Sequence, residues 1–281
     1  MSNNSPRLDE AMKKLDGELK RRDRAEKAKP LSVALAALVV LGVITGGIWF
    51  AATRGGDDAD TQAAASSTEI TPDYPMLKTS LDTPLPETVS CEYSSDGLEA
   101  AKQVSLPPTT GVPTTGAVTL TLKTNDGDIP MVLDRSVSPC TVNAITHMAK
   151  EKYYDNTVCH RITTQGIHVL QCGDPTGTGT GGPGFSFADE FPVNDESQNT
   201  GTPVTYPRGS IAMANSGANT NGSQFFLNYG TSPLPANYTY FGEVGEEGLK
   251  TLDTIAARGA EGGVSDGAPA ETVTIEQATV S

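Results

Sequence analysis

The sequence predicts a mainly β protein, a small barrel of short strands whose ends are covered by two α-helices. Runs of alternating Val, Thr and Leu favour strands. The 29 Gly and 19 Pro residues in 281 indicate many turns and long loops. Beyond residue 113, only two stretches have the apolar spacing of a helix. This combination is typical of a capped barrel.

The first strands form a predicted hairpin. Residues 117–124 (AVTLTLKT) alternate with period two, residues 125–128 (NDGD) supply a turn, and residues 129–134 resume as a strand. The next element is a helix over residues 139–152, with Ser138 or Thr141 as its cap.

Further short strands and a second helix complete the predicted barrel. The helix covers residues 246–257. The strands are predicted over residues 158–163, 167–172, 210–214, 224–228, 240–244 and 271–277.

An uncharged segment near the N-terminus predicts a membrane anchor. Leu31 to Ala52 has no charge over 22 residues, which is long enough for a helix to span the hydrocarbon core. Basic residues precede it and three aspartates follow it. The positive-inside rule therefore predicts a single-pass cell-membrane protein with its N-terminus in the cytoplasm and its barrel domain outside.

Four regions follow from this layout: a cytoplasmic charged tail (1–30), a transmembrane helix (31–52), an extracytoplasmic linker and irregular segment (53–113), and the barrel domain (114–281). A cleaved signal peptide is the alternative, with residues 63–65 (AAA) as a small-residue cleavage site. That site lies far beyond the apolar run, and the mature protein would lack residues 1–65.

The cytoplasmic tail carries a narrow apolar stripe of Leu8, Met12, Leu15 and Leu19. Such a stripe can bind a partner helix or lie on the inner leaflet, and the alternative is a solvated, frayed helix.

Net charge excludes one class of partner. The chain has a net charge of −14, and residues 1–30 hold nine Lys and Arg against six Asp and Glu. Residues 31–281 therefore carry −17. An acidic body repels phosphate backbones, so we expect no nucleic-acid partner.

All four cysteines follow the predicted anchor, where an oxidising compartment favours two disulfides. Three pairings are possible. Cys159 and Cys172 flank a hairpin-like stretch, which favours that pair and leaves Cys91 with Cys140. Four reduced, buried cysteines are the alternative. No CxxC spacing occurs and the three histidines are scattered, so no metal site is predicted.

Residues 213–226 (MANSGANTNGSQFF) predict a binding groove. Side-chain amides run directly into two phenylalanines, which indicates an apolar floor beside groups that hold peptide backbone. Residues 177–184 contain GxGxxG, but Pro183 follows where a nucleotide-binding helix would begin. No GxSxG elbow occurs either. We therefore expect neither a cofactor nor a covalent intermediate.

Arg161 lies in an otherwise apolar, neutral strand with no adjacent acid. A functional role and an ordinary solvated or ion-paired role both remain open from this local pattern.

Four segments resemble the cyclophilin family of peptidyl-prolyl isomerases in order and spacing: His160-Arg161-Ile162, residues 169–174 (VLQCGD), residues 213–226, and Phe241-Gly242. The resemblance covers about residues 114–281. An anchor followed by four outer cysteines is similar to the actinobacterial membrane-anchored extracytoplasmic branch.

The resemblance implies a closed eight-stranded barrel with two capping helices and a substrate groove on its outer surface. Arg161 matches the catalytic arginine, and Phe226 matches the residue that lines the proline pocket. The positions that match substrate-binding residues are His168, Val169, Gln171, Gly179, Ala214, Asn215, Ser216, Gln224, Phe226, Leu234 and Tyr238.

Several positions depart from the family pattern. Residues 163–166 contain a two-residue insertion, and Pro233 stands where a tryptophan that contacts cyclosporin is frequent, so we expect weakened inhibition by that drug. Other departures replace the family's usual residue at His168, Val169, Ser216 and Tyr238.

The function implied is a peptidyl-prolyl cis-trans isomerase that acts on X–Pro bonds of extracytoplasmic proteins and assists their folding, monomeric outside the membrane. The alternative is a catalytically weak, membrane-tethered adaptor that binds proline-containing polypeptides in the same groove.

Overall fold

The computed structural model describes residues 74–195 and 197–281. The predicted charged tail (1–30) and transmembrane helix (31–52) lie outside the described residues, and so does the first part of the linker. Within the described part of the chain, no helix combines the length and the apolar character needed to cross a bilayer.

Short strands dominate the described residues, with two α-helices and one 3₁₀ turn (Glu261–Gly263) among them. The helices are α1 (Pro139–Lys150) and α2 (Glu246–Arg258). The strands are β1 (Thr88–Val89), β2 (Tyr93–Ser95), β3 (Val112–Pro113), β4 (Ala117–Thr124), β5 (Gly127–Asp134), β6 (Thr157–Cys159), β7 (Arg161–Thr163), β8 (Val169–Cys172), β9 (Phe185–Phe187), β10 (Val204–Tyr206), β11 (Ser210–Met213), β12 (Phe225–Asn228), β13 (Ser232–Leu234), β14 (Tyr240–Val244), β15 (Asp266–Gly267) and β16 (Val273–Val280).

Ten strands form one curled antiparallel sheet in the order β15-β7-β8-β12-β11-β14-β5-β4-β16-β6. Three strand pairs flank it: β1 with β3, β2 with β9, and β10 with β13. A mainly β fold with two helices is therefore confirmed.

The prediction of a closed eight-stranded barrel is wrong. The ladder has ten strands and stays open, with β15 at one edge and β6 at the other. The reason lies at His160, which divides the single strand predicted over residues 158–163. β6 pairs with β16, whereas β7 pairs with β8 and β15, so no continuous ladder joins the two edges. The sheet is a curled half-barrel.

The first predicted hairpin is confirmed, because β4 and β5 pair along their full length from Ala117–Asp134 to Thr124–Gly127. Helix α1 ends two residues earlier than predicted, since Lys152 has a left-handed φ of 60°.

Ser138 occupies the N-cap position of helix α1, as predicted, but its side chain does not cap the helix. Ser138 donates its hydroxyl to the carbonyl of Tyr240 instead. The carboxylate of Glu190 accepts the main-chain N–H groups of Cys140 (3.0 Å) and Thr141 (2.7 Å). A distant acid therefore supplies the acceptor that the local sequence does not.

Apolar side chains divide between two clusters. The main core fills the inside of the sheet and includes Leu120, Met131, Ile145, Phe225 and Phe241, all fully buried. A second set, called here the outer cluster, lies on the opposite side of β11 and β12 and consists of Leu77, Val137, Val169, Phe191, Val204, Tyr206, Ala212, Phe226, Ala236 and Tyr240. Because successive residues of a strand face opposite ways, the adjacent Phe225 and Phe226 serve different clusters.

Residues 88–113, called here the strap, pack on the body of the domain. β2 pairs with β9. The main-chain N–H of Cys91 donates to the carbonyl of Thr109 at 2.8 Å, which joins the two ends of the strap. The disulfide Cys91–Cys140 ties the strap to α1, and Cys159–Cys172 ties β6 to β8. Both favoured pairings are confirmed. Part of the segment predicted as irregular thus packs in a defined position on the curled sheet and helix α1.

Candidate functional site

Two adjoining clefts open on the outer face of the sheet. The small cleft has a volume of about 150 Å³ and is lined by Arg161, Ile167, Val169, Gln171, Ala214, Asn215, Phe226, Leu234 and Tyr238. The wide cleft has a volume of about 520 Å³ and is lined by the Gly-rich loop 179–183, by residues 214–216, Thr220 and residues 222–224, by Gln171, Phe185 and Ser186, and by Asp96 and Leu98 of the strap. Gln171, Ala214 and Asn215 belong to both.

Strand register brings the small cleft together. Arg161 on β7 lies opposite Gln171 on β8, and Gln171 lies opposite Phe226 on β12. Directly opposed residues of an antiparallel pair point to the same face of the sheet. A cation, an amide and an aromatic ring therefore stand in one row, although 65 positions separate Arg161 from Phe226 in the chain.

Phe226 forms the apolar floor of the small cleft. Its ring is 5% exposed and belongs to the outer cluster. The ring of Tyr238 meets it edge-on, with centroids 5.5 Å apart. The hydroxyl of Tyr206 donates to the carbonyl of Tyr238 at 2.7 Å. These contacts hold the floor and one wall rigid without using any polar group inside the cleft.

Arg161 is held by two partners. Its Nε and Nη2 donate to the two carboxylate oxygens of Asp266 at 2.7 and 2.8 Å, and its Nη1 donates to Oε1 of Gln171 at 3.1 Å. The hydrogen bonds that Arg161 donates to Asp266 raise the pKa of Arg161 and lower the pKa of Asp266. Three of the five guanidinium N–H groups are thereby engaged, which fixes the plane of the group and leaves two donors.

A chain of amides continues from Arg161 into the wide cleft. Nε2 of Gln171 donates to Oε1 of Gln224 at 3.0 Å. Nε2 of Gln224 donates in turn to the carbonyls of Gly179 and Gly181, each at 3.0 Å. The network therefore couples the position of the guanidinium to the Gly-rich loop on the far side of the wide cleft.

Asp174 shapes that loop. Its carboxylate is fully buried and accepts hydrogen bonds from the N–H and hydroxyl of Thr176 and from the N–H groups of Thr178 and Gly179. Burial raises the pKa of Asp174, but hydrogen bonds from Gly181, Thr176 and Gly179 outweigh it, so the pKa lies below its usual value. A Cβ on Gly181 would lie 2.1 Å from Oδ1 of Asp174, which only glycine avoids.

Residues 213–226 form the wall between the clefts. The side chain of Asn215 donates to the carbonyl of Asn237 at 2.8 Å and accepts the N–H of Gly217 at 3.2 Å. Within the described residues, the main-chain N–H and C=O of Asn215 have no hydrogen-bond partner. Asn215 therefore presents an unpaired main-chain edge to the groove.

Two amides of the same wall do not face a ligand. Asn219 and Asn221 both bind Asp189, Asn219 through its Oδ1 and its N–H, and Asn221 through its Nδ2 at 2.9 Å. These two amides therefore shape the loop, because their partner lies in the protein itself.

The structure collects most of the predicted site residues. Eight line the small cleft: Arg161, Val169, Gln171, Ala214, Asn215, Phe226, Leu234 and Tyr238. Gly179, Ser216 and Gln224 line the wide cleft. Their individual roles stay predictions.

His168 is the exception and lies outside both clefts. Its ring packs edge-on against Tyr229, with centroids 5.7 Å apart, and its Nδ1 lies 3.3 Å from the carbonyl of Thr231. Ile167 lines the small cleft instead. Ile167 and His168 both precede β8, and the contacts with Tyr229 and Thr231 hold the ring of His168 away from the clefts.

Four residues of the clefts and their support were not predicted from the sequence: Ile167, Asp266, Asp96 and Leu98. The apolar alternation of Ile167 and Val169 was a usable signal. Asp266 lies 105 positions from Arg161, so no local pattern joins them. Among the described residues, no group of three or more His, Cys, Asp or Glu side chains could hold a metal ion.

The family model described as "Cyclophilin type peptidyl-prolyl cis-trans isomerase/CLD" matches residues 119–280. The chain belongs to the cyclophilin family. The matched residues include both helices, all ten strands of the main sheet except the first two residues of β4, and every predicted site position. The strap of this cyclophilin lies before the matched residues.

Curated relatives agree with this placement. The probable peptidyl-prolyl cis-trans isomerase B of Mycobacterium tuberculosis is 49% identical over 191 residues, which cover 66% of this chain and 62% of the relative. The protein of the same name from Mycobacterium leprae is 49% identical over 193 residues, which cover 67% of this chain and 65% of the relative. The cyclophilin described here thus spans less than two thirds of the length of these relatives.

A solved structure also matches this cyclophilin. The crystal structure of a cyclophilin type peptidyl-prolyl cis-trans isomerase from Cryptosporidium parvum is 30% identical, with a TM-score of 0.49. The match covers 59% of this chain and 98% of the solved one.

Proposed function

We propose that this cyclophilin is a peptidyl-prolyl cis-trans isomerase of X–Pro bonds and that the reaction takes place in the small cleft. One observation carries the proposal. A guanidinium held by Asp266 and Gln171 keeps two N–H donors free beside the apolar floor of Phe226. The small cleft, at about 150 Å³, suits a single small ring rather than a large ligand.

The chemistry needs stabilisation of a twisted amide. Rotation about the X–Pro bond breaks amide resonance, and the barrier is about 18–20 kcal/mol. In the twisted state the prolyl nitrogen regains its lone pair and accepts a hydrogen bond that it cannot accept in either planar isomer. A donor aimed at this nitrogen or at the following carbonyl therefore stabilises the transition state selectively.

In the proposed reaction the residues on each wall of the small cleft have separate roles. Phe226, Val169 and Leu234 hold the pyrrolidine ring while the residue before proline rotates. The unpaired main chain of Asn215 holds the substrate backbone, and Gln171 contacts both the substrate and Arg161. No bond is made to the protein and no group is transferred, so the reaction depends on binding geometry and on one charged donor.

The setting of the reaction is also proposed. Two disulfides are typical of an oxidising compartment, which supports an extracytoplasmic domain. Tethering through Leu31–Ala52 would keep the isomerase at the outer face of the cell membrane, monomeric there, where it assists the folding of proline-containing polypeptides. The acidic body supports polypeptide partners over nucleic acid.

The decisive experiment compares Arg161→Ala with Arg208→Ala in the full-length chain. Arg208 is a matched control, because it pairs with Asp253 and both arginine side chains are 39% exposed. We expect kcat/KM on an X–Pro peptide to fall about 100-fold for Arg161→Ala, as for loss of one transition-state donor, and to change less than twofold for Arg208→Ala. Wild-type turnover that Arg161→Ala leaves intact would contradict the mechanism.

The second candidate function is a catalytically weak adaptor that binds proline-containing polypeptides in the same groove. The observation that favours it is the engagement of three Arg161 donors by Asp266 and Gln171, which reduces what remains for substrate. An adaptor would bind proline peptides with no acceleration of their isomerisation. Exchange spectroscopy measures binding and rate in the same sample and separates the two functions.

A further inference from the structure

The strap builds one side of the wide cleft. β2 pairs with β9, and past β2 the N–H of Asp96 donates to the carbonyl of Gly184 and the N–H of Ala101 donates to the carbonyl of Gly182 at 2.9 Å. The strap thus runs along the Gly-rich loop on both sides of Asp96 and Leu98. The disulfide Cys91–Cys140 anchors its start, so these two side chains are held at the cleft.

Asp96 gives the wide cleft its charge. Among the described residues that line this cleft, Asp96 is the only ionisable one. Its Oδ1 accepts the N–H of Leu98 at 2.8 Å, which orients the carboxylate. Its Oδ2 faces the Gly-rich loop and would lie 3.9 Å from a Cβ on Gly182. One carboxylate oxygen is therefore available to a ligand.

Apolar surface accompanies this carboxylate. The side chain of Leu98 is 68% exposed at the rim, and Pro183 lies in the same lining. A carboxylate next to exposed aliphatic surface is the environment that a lysine or arginine prefers, because the methylene stem packs while the charged end stays in water. The net charge of −17 on residues 31–281 adds a general attraction for cations.

The two clefts are positioned to bind one extended chain. Gln171, Ala214 and Asn215 line both. In the proposed reaction Gln171 and Asn215 contact the residue before proline, so the wide cleft continues toward the residues that precede it. An extended chain advances about 3.3 Å per residue, so a residue two or three positions before proline lies about 7–10 Å further along the chain, in the direction of the wide cleft.

We propose that the wide cleft selects substrates with a lysine or arginine two or three residues before the proline, with Asp96 of the strap as its counter-ion. This inference rests on the proposed isomerase function and adds a substrate class to it. The selectivity comes from residues that precede the stretch matched by the family model, which begins at residue 119.

The test uses capped peptides Gly-Xaa-Xaa-Ala-Pro-Phe in which one Xaa is Lys, norleucine or Glu and the other is Ala. Isomerisation rates from exchange spectroscopy and Kd values from titration are measured with the full-length wild type, Asp96→Asn and Glu99→Gln. Asp96→Asn keeps the acceptor for the N–H of Leu98. Glu99→Gln is the matched control, because Glu99 is an exposed acid of the strap that does not line the cleft.

We expect the wild type to favour Lys over Glu at one of the two positions by about two- to fivefold in Kd and kcat/KM, as for one exposed ion pair. The ratio should fall toward one in Asp96→Asn, persist in Glu99→Gln, and shrink at high salt. Equal values for Lys and Glu in the wild type, or a preference that Asp96→Asn retains, would overturn the inference.

The outcomes also separate this inference from the proposed function. A Lys preference in Kd that depends on Asp96, without any turnover, would support the inference and refute the isomerase. Turnover that depends on Arg161, without any charge preference, would do the opposite.

Discussion

The two clefts share a wall but differ in construction. The small cleft is lined by one cation, one amide row and an aromatic floor, and Asp266 fixes the cation from behind. The wide cleft has three to four times the volume, and its described lining residues include no cation. Asp96 and Leu98 of the strap form part of its lining. In the proposed function this difference corresponds to two separate roles: the small cleft serves the reaction, and the wide cleft serves the selection of substrates.

Truncating the floor of each cleft tests this division most severely. Phe226 and Phe185 are 5% and 2% exposed and lie under the small and the wide cleft, respectively. Either change to Ala should lower the free energy of unfolding by about 3–5 kcal/mol. We expect Phe226→Ala to lower kcat/KM on a short X–Pro peptide about 100-fold, because the pyrrolidine ring of the substrate loses the apolar surface that positions it.

The same peptide should lose less than threefold with Phe185→Ala. Chemical denaturation and exchange spectroscopy measure both quantities. Similar losses of turnover in the two variants would show that the clefts do not have separate functions.

The next test loosens Arg161 without removing it. In Asp266→Asn the guanidinium keeps its charge but loses its bidentate partner, so we expect kcat to fall about tenfold with KM nearly unchanged. Asp253→Asn is the control, since that acid pairs with Arg208 at 2.9 Å and the two acids are 55% and 54% exposed.

The pH dependence sharpens this second test. Arg161 lowers the pKa of Asp266, so the pair is intact above the usual carboxylate range and is lost only as the pH falls through that lowered value. The ratio of wild-type to Asp266→Asn activity should therefore be constant from pH 6 to pH 8. A ratio that changes within this range would assign the effect to another group.

The smallest effect concerns the strap. Replacing Cys91 and Cys140 together by Ser removes a disulfide with a sequence separation of 49, which should lower the free energy of unfolding by about 2–4 kcal/mol. Turnover of a short uncharged peptide should stay within twofold, while any preference for a cationic residue before proline should disappear. A large loss of turnover with the uncharged peptide would mean that the strap supports the small cleft as well.

The sequence predicted one wall of the site better than the other, for a physical reason. Residues 213–226 are contiguous and end in a strand, so local composition and the Phe225-Phe226 alternation carry their geometry. The Arg161 wall is assembled by register between β7, β8 and β12 and by Asp266 on β15. Pairing across such separations leaves no local pattern, so the partner of Arg161 could not be found.

The same argument applies to the fold. Hairpin β4–β5 and helix α2 follow from local periodicity, and the spacing of Cys159 and Cys172 favoured their disulfide. The open ladder depends on which strands pair on the two sides of His160, and β6 and β7 pair there with β16 and β15, which are far away in the chain. The remote cap of α1 by Glu190 is of the same kind.

The buried Asp174 has a thermodynamic consequence for ligand recognition. Its carboxylate orders Thr176, Thr178 and Gly179 when the chain folds, so the loop has already lost its conformational entropy before any peptide arrives. Calorimetry of peptide association should therefore show a modest heat-capacity change that reflects apolar burial alone. Most of the conformational entropy lost on binding should therefore be that of the peptide, because the loop is already ordered in the folded protein.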